Sequence, residues 1–144
     1  MPNLFVIFIL FIGLYCSRKQ GAIYGVILGM LLDFFIGKRI GLTAIMLGII
    51  GFIGGTFDKN FSKDSRITIM IMVTLSTCVF EIGIYLVNYI IYHFEPEILE
   101  FIEILLIECL YNLLITTMIY PLIQKIGYKV EEEYKGNKIL TRYF

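Results

Sequence analysis

Charged residues in this chain fall in clusters, and the stretches between them are almost wholly apolar. Ser17-Arg18-Lys19-Gln20, Gly37-Lys38-Arg39, the polar stretch 58–66 and the loop His93-Phe94-Glu95-Pro96-Glu97 leave five apolar segments, residues 3–15, 21–36, 40–57, 67–92 and 98–126. A bilayer core about 30 Å thick takes roughly 17 to 25 helical residues. The pattern predicts an all-α fold, a polytopic membrane helix bundle with five transmembrane helices. The first two segments are short, and tilting or snorkelling Arg and Lys side chains at their ends would let them cross. Residues 1–127 then form the bundle and 128–144 a short cytoplasmic C-terminal tail.

Composition supports this reading. The chain is 58% apolar and 17% charged, against about half and a quarter in an ordinary soluble domain. With 144 residues it holds at most one domain. Twelve Lys and Arg balance twelve Asp and Glu, so the electrostatic footprint of a nucleic-acid binder is absent. The apolar run at residues 4–15 has no basic residue before it and no small-x-small cleavage site after it, so it is read as retained rather than as a signal peptide.

Basic residues set the orientation, because they accumulate on the cytoplasmic side. With the tail inside, the inner face holds Arg18, Lys19, Lys59, Lys63, Arg66, Lys125, Lys129, Lys135, Lys138 and Arg142, and the outer face only Lys38 and Arg39. The same count puts Met1 outside, which predicts that an N-terminal helix is missing from this chain. Lys59, Lys63, Arg66 and the tail bases are read chiefly as topology determinants, with contact to anionic lipid as the second reading. Glu131-Glu132-Glu133 keeps the tail from being a polybasic anchor.

Glycines concentrate in the second and third segments. Gly21, Gly25 and Gly29 recur every four residues, Gly37 and Gly41 flank the turn, and Gly48, Gly51, Gly54 and Gly55 follow. Small residues at that spacing make a strip on which another helix packs closely, so Gly21, Gly25, Gly29, Gly51 and Gly55 are the candidate helix-packing residues. Internal packing is favoured over a partner surface. The fourth segment carries Thr74, Thr77, Glu81, Tyr85, Asn88 and Tyr92 along one helical face, and the fifth Glu108, Asn112, Thr116 and Tyr120. Unpartnered polar groups in lipid cost several kcal/mol, which predicts that these two faces meet and hydrogen-bond.

At about 1.5 Å per residue, Asp33 lies about 21 Å from Lys19, Glu81 about 22 Å from Arg66 and Glu108 about 25 Å from Lys125 along their helices. Intramembrane ionisable groups are functional candidates by default. One expectation is that Asp33, Glu81 and Glu108 line one pocket or share protons; the other is that each makes a structural hydrogen bond near the interface. Asn112 completes the set of intramembrane polar candidates. Cys16, Cys78 and Cys109 show no metal-ligand spacing and are read as buried free thiols. His93 is the only histidine and lies in a loop beside Glu95, so neither a catalytic triad nor a histidine metal site has a second member. Pro121 is placed to kink or terminate the fifth helix.

The stretch Gly21-Ala22-Ile23-Tyr24-Gly25-Val26-Ile27-Leu28-Gly29-Met30-Leu31-Leu32-Asp33, followed by Gly37 and Gly41-Leu42, resembles the glycine-rich signature of the MreD family, the bacterial rod shape-determining membrane proteins. Pro2-Asn3-Leu4 and Glu108-Cys109-Leu110-Tyr111-Asn112, leading to Tyr120-Pro121, resemble the family's other motifs. The similarity runs from about residue 2 to 127. Members generally have a further helix ahead of Pro-Asn-Leu, which would make six. The resemblance implies a non-enzymatic scaffold of the cell-elongation, peptidoglycan-synthesising complex in the cytoplasmic membrane. It implies MreC as principal partner, with MreB, RodA and a class B penicillin-binding protein in the same assembly, and no cofactor. Gly25, Gly29, Asp33, Glu108 and Asn112 match family positions, with no catalytic role attached to any.

The alternative is a membrane subunit similar to the substrate-binding components of energy-coupling-factor transporters, also compact bundles of membrane helices. Those generally carry an alanine strip on the first helix, whereas this chain has only Ala22 and Ala44. An intramembrane enzyme is the third class. The residues before Asp33 are Met30-Leu31-Leu32 rather than Gly-x-Gly, and nothing groups a nucleophile, a base and a stabiliser.

Overall fold

A computed structural model describes residues 3–36, 41–60, 65–92 and 97–140, except the side chains of residues 36, 58–60, 92 and 134–140. The described residues form five helices and no strand: α1 (Leu4–Tyr15), α2 (Arg18–Ile36), α3 (Leu42–Asn60), α4 (Arg66–Tyr92) and α5 (Ile98–Leu140). His93, Glu95, Gly37, Lys38, Arg39, Lys63 and Arg142 lie outside the described residues, as do the side chains of Lys59, Lys135 and Lys138.

Helix boundaries depart from the sequence expectation by up to three residues in α2 and α3, and by more at the end of α5. α2 begins at Arg18 rather than at residue 21, because Ser17 Oγ accepts the N–H of Gln20 at 3.3 Å and starts the helix at once. α5 does not stop near residue 126. Pro121 sits inside it and does not terminate it, and the helix runs on to Leu140 through both of the expected regions.

The shortest helix is the central one. α1 packs on α2, α3, α4 and α5, and Val6, Ile9, Leu10 and Leu14 are essentially fully buried. A helix apolar on every side belongs inside a bundle. Around it stand two antiparallel pairs, α2 with α3 and α4 with α5, and α3 also touches α4. Among the described residues α2 meets only α1 and α3.

α2 and α3 approach backbone to backbone, and the glycine strip is what allows it. A methyl group on Gly21 would strike the Gly51 carbonyl, on Gly25 the Leu47 carbonyl, and on Gly29 the Ala44 backbone. That descending order is an antiparallel register. Gly51 in turn faces Gly21 and Ala22, and Gly55 faces the backbone of Arg18. At Gly13 α1 joins the same junction, where an added methyl would meet the Gly51 carbonyl. Three helices thus touch through one glycine each.

The outer surface is apolar. Phe34 and Phe35 are 80% and 81% exposed, Leu99 78% and Met118 81%, more large apolar side chains at the surface than a protein in water carries. Arg66–Ile91 is the one stretch among the described residues long and apolar enough by itself to cross a bilayer; Leu4–Tyr15 and Leu42–Phe57 are apolar but shorter.

Candidate functional site

Asn112 lies in the first half of α5 and is fully buried. Its Nδ2 donates to Thr77 Oγ1 on α4 at 2.9 Å, and its Oδ1 accepts the backbone N–H of Asn3 at 3.1 Å. Thr77 passes its own proton to the Val73 carbonyl at 2.9 Å, and Thr116 donates to the Asn112 carbonyl at 2.6 Å. The first N–H groups of a helix have no partner within it. Asn112 supplies one to α1 from another helix while tying α5 to α4.

Asp33 does the same for α3. It is 3% exposed, and its Oδ2 accepts the N–H groups of Gly41 at 2.8 Å and Ala44 at 3.3 Å. Gly41 stands just before α3 at φ +98° with open space beside it, so backbone conformation, not crowding, calls for glycine. A glycine offers no capping oxygen. The carboxylate at the end of α2 replaces it, and its charge suits the positive end of the helix dipole.

Asp33 is thereby committed away from the other two acids, which do meet. The carboxyl group of Glu81 on α4 meets that of Glu108 on α5. Beside them Cys78 and Cys109 face each other across the same seam, with sulfurs 4.0 Å apart. The three cysteines are free, as the sequence suggests, but half-buried rather than buried. Further along the seam, the Tyr85 ring packs on Phe101 at 4.4 Å between centroids. Ser76 Oγ and Asn88 Oδ1 are buried without a hydrogen-bond partner among the described residues.

The geometry thus uses Asp33 and Asn112 as caps in trans, joins Glu81 to Glu108, and sets the glycines at helix contacts. Sequence reasoning missed Gly13, which stands alone in α1, and the facing of Cys78 and Cys109. The second was detectable, since Cys78 lies one residue from Thr77 and three from Glu81, the partners of Asn112 and Glu108. No group of three or more His, Cys, Asp or Glu suited to a metal occurs among the described residues.

The cysteine pair tests the seam directly. Treating membranes with diamide is expected to join Cys78 to Cys109 in an intramolecular disulfide, since a side-chain rotation closes a gap of 4.0 Å. Cys16 should remain the one thiol open to maleimide labelling. Three reactive thiols after oxidation, counted by mass spectrometry, would show that α4 and α5 meet on other faces.

Compared with known proteins, residues 1–130 match the sequence model of the rod shape-determining protein MreD. No curated protein and no solved structure matches.

Proposed function

The chain belongs to the MreD family of rod shape-determining proteins, and from that premise we propose that it is a non-enzymatic membrane scaffold of the bacterial cell-elongation complex. The family is a membrane-protein family concerned with cell shape, and not one known for catalysis. The observation that carries the scaffold reading is how the buried polar groups are spent. Asp33, Thr77 and Asn112 bind other helices of the same chain. The cavity beside α1 and α5 is lined by apolar side chains, and the one between α4 and α5 by none of these three residues. That disposition stabilises a shape and exposes the rest to lipid and partners. The transporter-subunit alternative draws no support from it.

In this proposal the five helices cross the cytoplasmic membrane with the C-terminus inside, residues 128–144 lie beyond the bilayer, and the outer faces meet MreC. MreB, RodA and a class B penicillin-binding protein belong to the same assembly. The glycine contacts fix the spacing of the helices, and the Glu81–Glu108 pair holds the seam. Isolation of the tagged full chain from native membranes is expected to bring MreC with it. Exposed Phe34 and Phe35 replaced by alanine should reduce that yield severalfold with the bundle intact, if α2 presents the partner face. Absence of MreC from the wild-type isolate would overturn the proposal.

A further inference from the structure

At the end of the bundle where α4 begins, α4 and α5 part around a cavity of about 140 Å³. Its walls are apolar at Ile69, Met70 and Pro121, and polar at Arg66, Thr117 and Tyr120. The guanidinium carbon of Arg66 lies 5.4 Å from the centroid of the Tyr120 ring. The ring attracts the guanidinium as a charge and cannot use all five of its N–H donors. Their fork matches two phosphate oxygens. Tyr120 is buried and Arg66 exposed, so a fixed ring positions a solvent-facing cation.

The α5 wall has the opposite character. Pro121 has no N–H, so the carbonyl of Thr117, four residues earlier, loses the donor a regular helix would give it. The Thr117 hydroxyl donates to the Leu113 carbonyl at 2.8 Å, which leaves the hydroxyl oxygen as an acceptor too. One side of the cavity thus offers donors and the other acceptors. Its depth is that of lipid headgroups: Arg66 is the first residue of α4, and Lys125 follows one turn after Pro121. Exposed Ile67 and Met118 flank it with apolar surface.

We propose that this cavity binds a phospholipid headgroup carrying both a phosphate and a primary ammonium, namely phosphoethanolamine. The phosphate sits on the fork of Arg66, and the ammonium donates to the Thr117 carbonyl and hydroxyl oxygens. A choline headgroup has no N–H to give these acceptors, and a glycerol headgroup offers only neutral hydroxyls, whose hydrogen bonds are about half as strong as those of an ammonium. The site stands apart from the scaffold reading, since it requires only that the chain lie in a bilayer.

The test is native mass spectrometry of the purified, delipidated full chain in mild detergent. It is incubated with equal amounts of phosphatidylethanolamine, phosphatidylcholine and phosphatidylglycerol of the same acyl composition. Phosphatidylethanolamine is expected to be retained about tenfold over the other two. Arg66→Gln should remove that retention. Pro121→Ala, which returns an N–H to the Thr117 carbonyl and leaves Arg66 in place, should lower phosphatidylethanolamine to the level of phosphatidylcholine. Equal retention of the three lipids by the wild type overturns the assignment, as does unchanged retention in both variants.

Discussion

Gly51→Leu is expected to leave no folded bundle. Even the first carbon of the new side chain would meet the Gly21 carbonyl and come within 2.9 Å of the Ala22 nitrogen. Both are backbone atoms in a hydrogen-bonded helix, and neither moves without displacing α2. Over-packing a core costs about 1–3 kcal/mol when side chains can yield, so Gly51→Ala should fall at or beyond the top of that range. Gly48→Ala is the control. Its methyl meets Val26 Cγ2 at 2.8 Å, a side-chain rather than a backbone atom, and its cost should fall near the bottom of that range, about 1 kcal/mol. SDS titration of the purified proteins in bicelles orders the three variants. Equal midpoints for Gly51→Ala and Gly48→Ala would show that α2 and α3 do not touch through these glycines.

The second large effect is expected at Asn112. Alanine there removes the bond to Thr77 and strips the Asn3 N–H of its acceptor. Hydrogen bonds between membrane helices average below 1 kcal/mol, but an orphaned buried donor costs about 1–3 kcal/mol more. A total of about 2–4 kcal/mol is expected by the same titration. Asn112→Asp keeps an acceptor for Asn3 and should lose less. Thr77→Val combined with Asn112→Ala should cost less than the two singly, because they share one bond. Strict additivity would place the two side chains in separate environments.

The five helices were legible because charges, which lipid excludes, mark where apolar segments end. The glycine strip and the pairing of α4 with α5 were legible for a related reason, since polar and small residues are rare enough in a membrane for their spacing to stand out. The interior was not legible. In water, hydrophobicity sorts a side chain inward, but in lipid Leu14 and Phe34 are equally at home, and one is buried while the other is 80% exposed. Nothing in composition therefore marked α1 as the central helix. The caps were hidden by distance along the chain: Asp33 reaches Gly41 and Ala44 on the next helix, and Asn112 reaches back 109 residues to Asn3. The end of α5 was missed because charge marks where an apolar segment ends, whereas backbone hydrogen bonds carry a helix past that point.

The bond from Asn112 to Asn3 also sets an order on biogenesis. Of these five helices the innermost, α1, is made before the four that pack on it, and its contact with α5 must wait for the last of them. Until Asn112 has been translated, the start of α1 has no acceptor of its own and its α4 and α5 faces remain in lipid. The nascent chain therefore holds one side of its innermost helix unsealed after α2 and α3 have covered the other, and α5 completes the enclosure.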